Sequence, residues 1–249
     1  MKNKIECLDH GFVKLMNLSG PIRREGTTIG GEECDTFIPR VFDADDIDPA
    51  ICARISFDNL DKPRARELDL KLVEYLISHH HNTPIEMIEI WLEIKLPIFL
   101  ARQFVRHRTA TINEVSARYT QLPAEWYIPE IVGGKSTNGA KQGQEDNLST
   151  FDQEWFKTQL YEQCAFSYRL YEKALGKGVA PEHARMFLHV NHYTHWIWKQ
   201  DLHNLMHFLT LRLDSHAQVE ARIYAQAIYD LLSIHLPKTM ELFDKYRRL

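Results

Sequence analysis

The chain has 249 residues, 44% hydrophobic and 26% charged, the composition of an ordinary soluble globular protein. Thirty Lys and Arg against 34 Asp and Glu give a formal net charge of −4, so no protein-wide positive field exists to attract nucleic acid or an anionic membrane. The opening "MKNKIECLDHGF" has no signal-peptide apolar run, no stretch approaches the ~18 apolar residues of a membrane span, and Cys7, Cys34, Cys52 and Cys164 form no CxxC pair, which together predict a reduced cytoplasmic protein.

After a polar start, "DKPRARELDLKLVEYLISHHH" sets Leu68, Leu72, Tyr75 and Leu76 at helical spacing behind Pro63, and His79 and His80 read as the helix end. "IEIWLEIKL" then alternates, with Ile88, Ile90, Leu92, Ile94 and Leu96 on one side and Glu89, Trp91, Glu93 and Lys95 on the other. One polar face predicts a half-buried antiparallel strand. Pro97 ends it and suits the first turn of a short helix, "PIFLARQFVRHR". Residues 133–150, "GGKSTNGAKQGQEDNLST", read as a flexible surface loop.

The remainder reads as helical. Trp196 and Trp198 fall near a helix start as core or interface aromatics, and Leu202, Leu205, Met206 and Leu209 form an apolar stripe. Ser215 with Gln218 fits a capping box, ahead of a helix carried by Val219, Ile223, Ala227 and Leu231. The predicted class is α+β, a small antiparallel sheet packed with several helices.

"RHRTATINEVSARY", residues 106–119, stands out in an acidic chain. Between residues 101 and 119, Arg102, Arg106, Arg108 and Arg118 face only Glu114, a local charge of +3. The planar guanidinium fork matches phosphate and carboxylate oxygens, so this is a built anion site or else a solvated basic helix end. Gln103 and Arg106 lie one turn apart and can face one ligand if the helix persists, with Arg106, His107 and Arg108 at its end. Ser116 has no G-x-S-x-G elbow and no base identifiable by spacing, so it reads as a hydrogen-bonding hydroxyl rather than a nucleophile. Glu114 among arginines reads as an ionised acceptor.

The Arg-His-Arg, seven residues and Ser116, followed by Arg118 and Tyr119, resemble the signature of the flavin-dependent thymidylate synthases. "HNTPIEM" (residues 81–87) resembles that family's H-x-T-P-x-E element, and "LRLDSHAQVE" (211–220) its L-R-x-x-x-H-A-Q-x-E element. The resemblance implies one domain over residues 1–249 that methylates dUMP to dTMP, with FAD as cofactor and methylenetetrahydrofolate and NADPH as co-substrates. It implies a homotetramer whose active sites are shared between subunits.

Residue by residue, it implies that Gln103, Arg106, Glu114, Ser116, Arg118, Arg185 and Arg212 contact dUMP, with Arg212 activating the uracil ring. It places Thr83, Arg106, His107, Arg108, Thr109 and Glu114 at FAD. Asp201, His203 and His207 fill further flavin positions, where some members carry Asn, Arg and Asn. None of the four cysteines sits in the P-C-Q setting of the cysteine-dependent enzyme, so a fixed guanidinium would polarise the ring instead.

Two other classes compete. A nucleotide- or nucleic-acid-binding module would show steeply salt-sensitive binding and no turnover. A metal-dependent hydrolase could use His203 and His207, four apart on one face, with the His79–His81 run, but no converging carboxylates or cysteines are visible, and polar histidines at a flavin site or helix boundary account for them better. No metal is expected. Tyr119 is a base-stacking ring or a core anchor, and Trp126 and Tyr127 cover the site or pack the following loop.

Overall fold

A computed structural model describes residues 3–20, 27–29, 32–34, 44–60, 62, 64–136, 144–145 and 147–248, with backbone alone at 27–29 and 32–34. The polar start conceals a hairpin of Lys4–Cys7 (β1) and Gly11–Ser19 (β2). Thr27–Ile29 (β3) and Glu32–Cys34 (β4) pair with each other. Asp48–Arg54 (α1), Arg66–Ser78 (α2) and the short Thr83–Glu86 (α3) lead into Glu89–Pro97 (β5). Ile98–Phe104 (α4) follows, with Pro97 as its N-cap rather than in its first turn, and then Thr111–Glu114 (β6).

In the predicted loop, Gly134–Lys135 (β7) pairs with Gln144–Glu145 (β8), and Asn147 Nδ2 donates to the Lys135 carbonyl at 3.0 Å. Residues 137–143 and 146 lie outside the described residues, as does Pro63. Thr150–Gly176 (α5) begins on Ser149, whose Oγ accepts from Asp152 N. Pro181–Ala184 (α6), Tyr193–Asp201 (β9), Leu202–Arg212 (α7), Val219–His235 (α8) and Pro237–Tyr246 (α9) complete the chain.

The main sheet is antiparallel throughout, in the order β1-β2-β5-β9-β6. As predicted, β5 buries Ile90, Leu92, Ile94 and Leu96, and its other side carries Glu93 and Lys95. Lys14 and His195 from the flanking strands both reach Glu93, at 2.8 and 3.0 Å. α7, α8 and α9 contribute to one apolar core with the buried side, and Leu202, Leu205, Met206 and Leu209 are all inside it. Asp46 closes the far end: its oxygens accept from Lys238 N at 3.1 Å and Thr239 N at 2.7 Å, satisfying orphan donors of the first turn of α9.

Four expectations are corrected. Trp196 and Trp198 stand on a strand, not near a helix start: β9 turns Thr194, Trp196, Trp198 and Gln200 inward, and both indoles are buried. α2 buries Asp69, Val73, Leu76 and Ile77 while Leu68 and Tyr75 are exposed. Its face is rotated because Arg54 and Arg64 draw the Asp69 carboxylate inside, at 3.7 and 3.6 Å.

The capping box does not form. α8 starts at Val219 with Gln218 at the cap and no side-chain cap bond, because the Gln218 amide oxygen is taken by Gln103. Along α8, Ala227 and Leu231 are buried but Val219 and Ile223 are exposed. Tyr224, Ala225, Ile228 and Leu232 supply the rest of the buried face.

Among the described residues no helix is long and apolar enough to cross a membrane. His192, 2% exposed, stacks on Tyr168, and its Nε2 has no hydrogen-bond partner among the described residues. Burial, opposed in part by Glu125, pushes its imidazole from 6.5 down to about 4. The unfolded chain therefore binds the extra proton between these values, and His192 withdraws about 3 kcal/mol of stability as pH falls from above 6.5 to below 4. Urea titrations across that window should show the loss, and His192→Leu should reduce the slope by one proton. An unchanged slope would count against a neutral buried ring.

Candidate active site

The arginine-rich stretch begins where α4 stops. Helical bonding ends with Val105, and Arg106 N and His107 N fold back to the carbonyls of Gln103 and Phe104 at 3.4 and 3.0 Å. The helix does not persist; Gln103 is half-buried, and Arg106 and Arg108 on the turn are both exposed. Neither has an ion-pair partner among the described residues, so their positive charge stands ready for an anion.

Two further elements close on this turn. Gln103 Nε2 donates to Gln218 Oε1 at 2.5 Å, tying α4 to the start of α8. Arg212, the last residue of α7, donates through Nη2 to His107 Nε2 at 3.3 Å. A cation at a helix C-terminus is favoured by the helix dipole. Arg212 Nε is buried and lacks a partner among the described residues. The His107 ring lies edge-on against Phe208, with centroids 4.9 Å apart, and 6.2 Å from the exposed His207. Burial, then Arg212, then His207 push the His107 imidazole down to about 4.

Gln103, Arg106, His107, His207, Arg212 and Gln218 thus form one group. Thr83 opens α3, which packs against α7, and is exposed, as is Thr109. Asp201 is the N-cap of α7: Oδ1 accepts from Asn204 N at 2.9 Å and Oδ2 from Asn204 Nδ2 at 2.8 Å. His203 is half-buried, with its imidazole lowered by burial first and Arg247 next. Among the described residues no three His, Cys, Asp or Glu side chains converge as metal ligands. His79 is the C-cap of α2 and stacks on Tyr75 at 4.1 Å, while His80 takes a left-handed φ of 59°, so these two form a helix end.

A second group lies past the other end of β6. Glu114 accepts a hydrogen bond from Thr194 of β9. Ser116 Oγ accepts from Arg118 N at 3.3 Å, fixing the turn after the strand. The Arg118 guanidinium is 3.6 Å from Glu182, and Arg185 Nε donates to the Glu182 carbonyl at 3.4 Å. Tyr119 is 81% exposed beside Arg118, which rules out the core-anchor alternative. Trp126 packs against Tyr161 and Tyr168, and Tyr127 donates to Glu220 at 3.2 Å.

Among the described residues, no hydrogen bond, ion pair or ring contact joins the two groups. Gln218, Thr194 and Glu182 were not singled out as site residues by sequence reasoning. Gln218 stands in the quoted "HAQVE" element, which was the available signal. Thr194 and Glu182 acquire a role only through sheet pairing and the turn around Arg185.

The sequence matches the family described as "Thymidylate synthase complementing protein" over residues 41–238. It is 46% identical over 196 residues to a flavin-dependent thymidylate synthase of Ehrlichia ruminantium (strain Gardel), 78% of this chain and 65% of that relative. The chain thus spans slightly less than two thirds of that protein. With the flavin-dependent thymidylate synthase of Gluconobacter oxydans (strain 621H) it shares 38% identity over 248 residues, 97% of this chain and 73% of the relative. The fold superposes on the crystal structure of the UMP/dUMP methylase PolB from Streptomyces cacaoi bound with 5-Br dUMP. The TM-score is 0.79 at 25% identity, covering 98% of this chain and 99% of that one.

Proposed function

The chain belongs to the thymidylate synthase complementing protein family, with flavin-dependent thymidylate synthases among its relatives, and from that premise we propose that it methylates dUMP to dTMP without a cysteine nucleophile. Methylenetetrahydrofolate is the carbon donor, NADPH the reductant and FAD the cofactor. Residues 1–249 act as one domain. The observation that carries the reading is Arg212, a half-buried guanidinium that donates to an uncharged imidazole and whose buried Nε has no partner among the described residues.

The uracil ring carbon must become electron-rich before it accepts a one-carbon unit. Arg212 can supply this electrostatically, placing its N–H donors where negative charge develops on the ring's carbonyl and imide. Exposed Arg106, which has no ion-pair partner among the described residues, binds the nucleotide phosphate, with Gln103 held beside it by Gln218. Glu114, Ser116, Arg118 and Arg185 supply the remaining dUMP contacts.

The residues fit a flavin. Arg106, Arg108 and Thr109 expose donor side chains on the turn that carries His107, Glu114 is an acceptor, and Thr83 with the α7 face of Asp201, His203 and His207 would border the ring system. A bound flavin, once reduced by NADPH, would supply the hydride that reduces the transferred carbon to a methyl group. The described cysteine side chains support the non-covalent route. Cys7 and Cys164 are buried, with the Cys7 thiol pushed up to about 12; Cys52 is half-buried, its thiol also raised by burial; and among the described residues none of the three is hydrogen-bonded to the residues above. Free thiols also favour a cytoplasmic setting.

The separation of the two groups supports sites shared between copies in a homotetramer. Arg106→Ala and Arg118→Ala, assayed at dUMP and FAD concentrations too low for either variant to turn over alone, are therefore expected to regain about one quarter of wild-type activity when co-expressed, because random mixing puts both intact groups at a quarter of the sites. No recovery in oligomers shown by two affinity tags to be mixed would place each site within one chain. The function itself is tested by dUMP-dependent NADPH oxidation with dTMP identified as product. A colourless protein that takes up no added FAD would overturn it.

A further inference from the structure

We propose that His107 is a positioning residue that aims Arg212 at the pyrimidine, in addition to any contact with the flavin. The inference rests on the ring-activating role assigned to Arg212 above. A guanidinium has donors only, so the 3.3 Å contact with His107 Nε2 requires that nitrogen to accept and the imidazole proton to reside on Nδ1. The ring is therefore neutral whenever the contact exists.

The geometry explains why it holds. Phe208 and Arg212 are one turn apart on α7 and share a face. The His107 ring spans them, edge-on to Phe208 at 4.9 Å and reaching the guanidinium beyond. Phe208 is itself fixed, fully buried and edge-on to Phe104 at 4.9 Å. His107 N bonds to the Phe104 carbonyl at 3.0 Å, so the backbone is anchored to Phe104 directly and the ring through Phe208, which packs on it. The imidazole is thus a rigid acceptor built on the end of α4, and it takes one edge of the Arg212 fork.

The identity of the acceptor matters. A carboxylate there would hold Arg212 as firmly but cancel the positive charge needed by the developing anion. A neutral imidazole orients the guanidinium and leaves its charge intact. Burial, Arg212 and His207 all favour that neutral form, and among the described residues no carboxylate pairs with Arg212. Nε, buried and without a partner among the described residues, is a donor that the contact with His107 leaves uncommitted.

The test uses FAD-saturated enzyme and His107→Leu, which removes the acceptor, His107→Gln, which restores an oxygen near the Nε2 position, and Arg212→Lys. His107→Leu should lower kcat about 10- to 100-fold, the effect of losing a hydrogen bond to a charged group, with dUMP affinity by calorimetry within about threefold. His107→Gln should recover most of the loss. The double variant His107→Leu with Arg212→Lys should be no slower than Arg212→Lys alone.

Independent, multiplying losses would overturn the inference. So would a His107→Leu defect confined to weaker FAD binding, measured by flavin fluorescence, and abolished at saturating FAD. Should Arg212→Lys itself leave kcat unchanged, the assignment of Arg212 fails rather than the link to His107.

Discussion

Arg212→Ala is expected to reduce kcat about 10²- to 10³-fold, the range seen when one preorganised donor to a developing anion is removed. Affinity for dUMP should fall far less, because the lost interaction strengthens only as charge builds on the ring. The structure gives this residue its setting: it ends α7, where the helix dipole favours a cation, and its fork is held by His107, with no carboxylate among the described residues to neutralise it. Arg106→Ala should show the opposite balance, with weakened dUMP and FAD binding dominating, since that guanidinium is exposed and is proposed to bind the nucleotide phosphate. Steady-state kinetics paired with calorimetry separate the two. Equal, small losses from both substitutions would refute this division of roles.

Trp198→Ala is expected to cost about 3–5 kcal/mol, a large share of the roughly 5–15 kcal/mol that stabilises a domain. Its fully buried indole on β9 meets Phe208 edge-on at 5.1 Å and stacks near Phe104 at 5.9 Å. Those two rings carry the site, because Phe104 ends the helix before the arginine turn and Phe208 supports His107. The cavity should therefore loosen both sides of the active site at once. Trp198→Phe should cost much less, since the indole N–H has no hydrogen-bond partner among the described residues. Urea unfolding of both variants, with flavin retention measured alongside, decides the matter. A stable Trp198→Ala protein would show that this aromatic centre is not the support described.

Sequence patterns were legible wherever side chains alternate or repeat without interruption. β5 alternates cleanly, and its antiparallel pairing followed from the polar face. β2 escaped notice because a bulge between Leu15 and Asn17 breaks its period of two, leaving buried Leu15 and Leu18 three apart. β9 was hidden for a related reason: polar Thr194 and Gln200 point inward while Ile197 sits on the other side. The buried faces of α2 and α8 were misjudged because each admits a carboxylate, Asp69 held by arginines and Glu220 by Tyr127.

The sequence by itself determined the family and the chemical inventory: local motifs need only the right residue types at fixed spacing, and those survive in a linear string. It could not tell how the inventory is grouped. That Arg212 meets His107, that Gln218 holds Gln103 instead of capping its own helix, and that Arg118 and Arg185 gather around Glu182 apart from them are consequences of strand pairing and helix packing. These contacts join residues as far as 115 positions apart. Only the three-dimensional path of the chain brings such residues within hydrogen-bonding distance, where an interaction lasting a few ångströms can act.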